Sequence, residues 1–561
     1  MAEDLDFHSF LKTQTQTRPS STKIRTMSSI LVSPPVEIRG TLDPYTGTWD
    51  KSTARHLLKR AMFAPNASQI AQAVTDGLDL TIQKLFAIPP DPGLPLNFNE
   101  PNDPNVPIGS SWVNAAITPN LNYPQLSVRA WQLSLFLNEG VSIREKMVLF
   151  WHNHFVTANA LIGKMIYQYV NVLRDNATGN FRTLVEQMTV NPLMLMYLNG
   201  NESNKNAPNE NYARELLELF TIGKGIEAGP GDYTNYTEQD IKEIARALTG
   251  WTSNGIAFNQ AGNLPSAIFR PNRHDTGTKT LSNRFGNAVI SNLGDQEYKK
   301  VIDIILNQAE VARFMARNLY RWFVYYFIDD EIESTVIEPL ADVLRQNNYE
   351  IKPALTALLS SEHFYHDNAI GAMIKSPVDF TMSTIKPFEV TTNLNLKQTY
   401  QLWFALHQLN TTLQQDVFTP PDVAGWKAYY QEPVFYRYWI NSVTLTTRRA
   451  MTDGMATGIN TIFNRPYGID VLKVVGDIPN SIDPNDMIQA LIDLVLPYPL
   501  TQVQLDYLKD VLIPGLPDFE WTVEYSAYLN DPTNDTIRMG VENRLKALFI
   551  ALLGLPEFQL Q

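Results

Sequence analysis

The chain has 561 residues, with 45 Lys and Arg against 58 Asp and Glu for a net charge of −13, and it has no cysteine. That excludes disulfides, thiolate catalysis and cysteine-ligated metals, and the acidic balance argues against nucleic acid as a partner. Its 44% hydrophobic and 18% charged residues are those of a folded globular chain.

Residues 1–40 mix Thr, Ser, Lys and Arg with few large apolar groups and read as a flexible N-terminal tail. They open acidic and build no apolar core of a signal peptide, and no run of 18 apolar residues announces a transmembrane helix. The cytoplasm is the default location. From Asp50 onward helix signals dominate. Asp50-Lys-Ser-Thr opens an amphipathic run carrying Ala54, Leu57, Leu58, Ala61 and Met62. Ser142 with Glu145 has the capping-box spacing ahead of IREKMVLFWHNHF. NPLMLMYLNG stops at Asn199-Gly200, and a helix over 209–222 lies between Pro208 and Gly223. Thr237 with Asp240 starts another helix, which Gly250 ends, and 297–327 reads as two helices. Further helices are predicted at 331–345, 351–361, 397–410, 437–450, 485–495, 502–512 and 539–553.

Long Pro/Asn/Gly segments separate these helices at 88–109, 199–210, 224–236, 252–296 and 411–436. Loops of that length in a compact protein are usually functional or hold short strands, and one hairpin is predicted within 252–292. The expected fold is mainly α: a multi-helix globular array with long ordered loops and at most a small β-hairpin. Residues 41–450 form the helical domain that carries the candidate site, and 451–561 a helical C-terminal subdomain.

On a wheel at about 100° per residue, Glu210, Asn211, Arg214, Glu215 and Glu218 occupy one arc of the 209–222 helix. Two readings stay open. One is a solvated face with Glu210–Arg214 and Arg214–Glu218 pairs. The other is a cleft in which Glu215 and Glu218, with Arg214, do acid/base or metal chemistry. His152 and His154 lie about 200° apart on a helix and converge on one ion only if the helix ends there. In RPNRHDTGTKTL, His274 and Asp275 can orient each other, and Arg270, Arg273 and Lys279 make the loop basic. That basic loop is expected to fold onto the acidic helix face by Coulomb attraction. PPDVAGW is a rigid loop whose Trp426, with Trp439, serves either as a clamp or as an aromatic wall for a ligand. Walker A, dinucleotide, HExxH and GxSxG patterns are missing, so no nucleotide cofactor is expected.

ARHLLKRAMF, REKMVLFWHNHF, LRDNATGNFR, NPLMLMYLNG, NAPNENYARELLELFTIGKG, YTEQDIKEIARALTGW, RHDTGTKTL, KSPVDF and PPDVAGW, in that order across about residues 50–450, resemble the bacterial "domain of unknown function 1800" family. The resemblance implies a mostly helical protein and a sulfatase-like protein, encoded nearby, as a partner. It implies no activity. Ala64 stands where the family usually has Gly, Asn191 and Asn199 where Asp is common, and Phe220 where some members have His. The expected function is a metal-dependent enzyme, a hydrolase or a redox variant, with a divalent metal held by His152, His154, Glu215, Glu218 and His274. Arg214 and Asp275 would complete its catalytic set. The alternative is a non-enzymatic binding or assembly protein.

Overall fold

The structure, a computed structural model, describes residues 35–116, 118, 121–158, 160–255, 264–459 and 467–561. The predicted tail lies outside the described residues up to residue 34, as does residues 256–263 of the predicted hairpin segment. Val36–Gln561 folds as one compact unit. None of the described helices is long and apolar enough to cross a membrane.

The first half of that unit is built from α1 (Lys51–Ala61), α2 (Ala67–Leu85), α3 (Tyr123–Asn138), α4 (Arg144–His154), α5 (Gly163–Asp175), α6 (Phe181–Thr189), α7 (Pro192–Tyr197), α8 (Glu210–Glu215), α9 (Glu238–Ala247), α10 (Glu297–Leu306) and α11 (Ala309–Phe323). Start signals in the sequence act as expected in two places. Asp50 caps α1 by accepting from Ser52 N and Thr53 N while its own N–H donates to Thr53 Oγ1, and Thr237 with Asp240 closes the same reciprocal box on α9. The Ser142–Glu145 box does not form. Ser142 Oγ accepts from Arg144 N, but the Glu145 carboxylate is drawn inward to Arg174 at 2.7 Å and Gln132 at 3.1 Å. A buried guanidinium is a stronger partner for a carboxylate than a helix-start amide.

Among the described residues there are three two-stranded antiparallel sheets where one hairpin is expected. Trp251–Asn254 pairs with Ser266–Phe269, Lys279–Thr280 with Val289–Ile290, and Glu227–Gly229 with Asp232–Tyr233. The departures from the family pattern have local explanations. Asn191 caps α7 by accepting from Leu193 N and Met194 N, and Asn199 adopts φ 57°, a left-handed conformation that Asn tolerates. Ala64 sits at φ 47°, so a residue with a Cβ occupies a conformation that suits glycine.

The interior is not purely apolar. α1 is buried on nearly every side, including Arg55, His56, Lys59 and Arg60. Arg60 donates to Ala369 O, and Lys59 to Val495 O and Leu496 O. Lys146 of α4 forms an ion pair with Asp379 of the helix Pro377–Ser383. Lys375 donates to Phe558 O, and Arg448 to Lys375 O and Gln559. Asp379 is thus the carboxylate that the charges of Arg60, Lys146, Lys375 and Arg448 all face. The expected boundary near residue 450 falls inside the helix Ser442–Thr457. Segments on both sides of it share this core, because Arg55 and Lys59 take their acceptors from residues 493–497.

Asp379→Asn leaves several buried cations without their counter-charge, and is expected to cost more than about 3 kcal/mol in urea unfolding. Ala64→Gly relieves left-handed strain, and is expected to raise stability in the same assay by up to about 1 kcal/mol.

Candidate functional site

α4 ends at His154, and its two histidines diverge as their helical spacing requires. The Tyr169 hydroxyl donates to Phe155 O at 2.6 Å, so it can accept from His152, whose Nδ1 lies 2.8 Å away. That assignment leaves His152 Nε2 as the unprotonated ring nitrogen. The His152 ring packs against an aromatic wall, its centroid 5.9 and 5.7 Å from those of Phe418 and Trp426. His154 Nε2 donates to Phe220 O at 2.9 Å, and its ring packs among Phe150, Phe155 and Phe181. Burial pushes His152 down to about 3 and His154 down to about 4, so both are neutral at physiological pH. Asn153 between them accepts from Trp426 N at 2.9 Å. A Cβ on Gly425, at φ 91°, would lie 2.3 Å from Asn153 Oδ1. PPDVAGW therefore clamps onto the HNH turn through a glycine that only a bare backbone satisfies.

The predicted 209–222 helix breaks its phase. It is α-helical only to Glu215 and continues as a π turn over Leu216–Thr221. Such turns are often found at functional sites. Arg214 does not pair with Glu210. It grips Glu238 with two bonds of 2.8 and 2.7 Å and lies 3.5 Å from Glu218. Glu218 also accepts from the Tyr236 hydroxyl. Glu215 is half-buried, and its carboxyl is raised by desolvation first, then by Glu218 and Asp422, with Arg214 opposing. Asp422 belongs to the PPDVAGW loop, and Tyr197 at the end of α7 has a hydroxyl raised by burial and by the charges of Asp422 and Glu215. The segments 192–197, 210–221 and 416–426 therefore meet at an acidic, tyrosine-lined rim.

The 270–280 loop goes elsewhere. His274 is fully buried, with Nε2 3.2 Å from Glu297 and Nδ1 2.9 Å from Thr249 O. Lys279 pairs with the same Glu297. Asp275 takes Arg246 at 2.8 and 3.2 Å, which holds its carboxyl below the ordinary range. Arg273 donates to Asn201 O and Arg270 to Thr252. The expected meeting of His274 or Asp275 with Glu215 or Glu218 is thus corrected: nearer counter-charges on α9 and α10 take both residues first. His152, His154 and His274 occupy three different surroundings, and among the described residues no three His, Asp or Glu side chains are grouped to hold a metal ion. The donor set expected from the sequence does not fit a metal.

Sequence reasoning missed a recessed cavity of about 540 Å³ lined by Trp112, Tyr123, Ile162, Met165, Leu193 and Tyr197 among others. It is bounded by α3, the start of α5 and α7, and Tyr197 joins it to the acidic rim. The available signal was Lys164, a lone cation in the apolar run of ALIGKMIY.

The chain matches the family described as "Protein of unknown function (DUF1800)" over residues 56–560, and it belongs to that family. No curated protein and no solved structure matches it.

Because the Glu215 carboxyl is raised, folding favours its protonated form. That contribution is complete below the ordinary value of 4.5 and is lost as pH rises through the higher folded value. Glu215→Gln is therefore expected to melt above the wild type at pH 8, with the difference shrinking toward pH 4. Melting curves of both proteins across that range measure it.

Proposed function

We propose that this DUF1800 protein binds a small, largely apolar molecule in the cavity between α3, α5 and α7. One observation carries this reading: a preformed recess of about 540 Å³ with aromatic and aliphatic walls and a few polar groups. Small-molecule sites commonly span about 300–1,000 Å³ and have that lining. By contrast, His152, His154, Glu218 and His274 are engaged by Tyr169, Phe220 O, Tyr236 and Glu297 within the fold. A second reading is favoured by the raised Glu215 carboxyl. A raised carboxyl whose charge acts on Tyr197 has the chemistry of an acid/base group toward a ligand reaching out of the cavity.

The cavity reading is tested with N-phenyl-1-naphthylamine, whose fluorescence rises in apolar surroundings. The wild type is expected to bind it saturably. Met196 lines the cavity and is 40% exposed at its mouth, so Met196→Trp can fill the recess without disturbing the core. That variant is expected to keep its melting temperature and lose at least about tenfold in affinity, equivalent to 1.4 kcal/mol. No saturable binding by the wild type, or equal binding by the variant, overturns the assignment.

A further inference from the structure

The cavity wall contains one charged group whose surroundings do not account for it. Lys164 lies in the first turn of α5 and is 3% exposed. Its Nζ donates to Ala115 O at 2.5 Å. An ammonium carries three donors, and among the described residues that carbonyl is its hydrogen-bond partner, with no carboxylate at ion-pair distance. Desolvation lowers its basicity and no charged neighbour offsets the effect. A buried charge without a counter-charge is costly. Elsewhere in the interior Lys146 has Asp379, Lys279 has Glu297 and Arg174 has Glu145, while Lys59 donates to two backbone carbonyls and Lys375 to one.

The backbone around Lys164 adds to the imbalance. Ile162 occupies the N-cap of α5 and makes no side-chain cap hydrogen bond. Met165 N and Ile166 N donate to Ile162 O, and residues 162–165 at the helix start, the positive end of its dipole, line the same cavity as the ammonium. A Cβ on Gly163 would lie 2.8 Å from the Pro124 carbonyl carbon, so the start of α5 is pressed against α3 and held in place. Asp103 also lines the cavity, but it accepts from the Tyr123 hydroxyl at 2.7 Å, Thr118 at 3.0 Å and Asn105 N at 2.9 Å, and so is not the partner of Lys164.

We propose that the cavity takes an apolar monocarboxylate, its carboxylate seated on Lys164 Nζ at the open end of α5 and its apolar body against Trp112, Ile162, Met165 and Leu193. This rests on the cavity reading above and names the ligand class. One ammonium beside the positive end of a helix dipole suits a single negative charge. A phosphate, with up to two charges and three acceptor oxygens, calls for more cations than the described lining supplies.

The test uses decanoate, its uncharged analogue decanamide, and decyl phosphate as calorimetric titrants of the full chain and of Lys164→Met. The expected result is that the wild type binds decanoate at least tenfold more tightly than decanamide or decyl phosphate. The variant should lose that preference while still binding decanamide. Its melting temperature without ligand should equal or exceed that of the wild type, because a buried charge with no carboxylate partner among the described residues has been removed. Equal affinity for decanoate and decanamide in the wild type, or an unchanged preference in the variant, overturns the carboxylate assignment and leaves the cavity reading standing. Tighter binding of decyl phosphate also overturns it. Binding of none of the three overturns both. The wild-type comparison decides the matter even if the variant does not fold.

Discussion

Asp379 is a buried carboxylate surrounded by cations from four parts of the chain, and the positions of the main helices follow from that arrangement. Lys146 brings α4 to it, Arg60 brings α1, and Lys375 and Arg448 bring the segment before Asp379 and the helix Ser442–Thr457. One carboxylate cannot neutralise four charges, so backbone carbonyls at Ala369, Lys375 and Phe558 take the remaining donors. Such a core is not optimised for stability, since apolar replacements of buried ion pairs are often neutral or better. It does fix geometry, because each cation is satisfied only at one distance and direction.

That geometry reaches the candidate site through α4. The helix is anchored by Lys146 at one end of its buried face and delivers His152, Asn153 and His154 at the other. His152 then meets Tyr169, His154 meets the π turn through Phe220 O, and Asn153 receives Trp426 N. Three loops and helices that are distant in sequence are gathered by three consecutive residues. The histidines matter here as neutral hydrogen-bonding groups in an aromatic setting, since burial holds both well below the pH at which they would charge.

Local signals were legible where local physics decides. Asp50, Thr237 and the 502–512 run placed helices because a cap or an apolar stripe acts within a few residues. The 209–222 helix was found but its phase was not, because no residue pattern marks a π turn, and the wheel that grouped Glu215 with Glu218 loses its register after Glu215. His274 was mistaken for a ligand because its partner, Glu297, opens a helix 23 positions later and nothing in the loop's composition points to it. The cavity was invisible for a related reason. Its walls come from segments near 112, 123, 163 and 193 whose residues are ordinary core formers, and only their packing leaves space. Lys164 was the one irregularity, and a single lysine in an apolar run says nothing until its missing counter-charge is seen.

The closing strands of contact around Asp379 also set an order in time. Lys375 N donates to Gln559 O, Gln561 N to Met373 O, and Lys59 finds its acceptors at residues 495 and 496. During synthesis the basic face of α1 emerges several hundred residues before the carbonyls that satisfy it. A ribosome translating this chain therefore exposes an amphipathic cationic helix that cannot yet be buried. The cations of that segment stay solvated until residues 493–497 have left the exit tunnel. Burial of α1 is in this sense a late event, gated by translation of the segment 493–497.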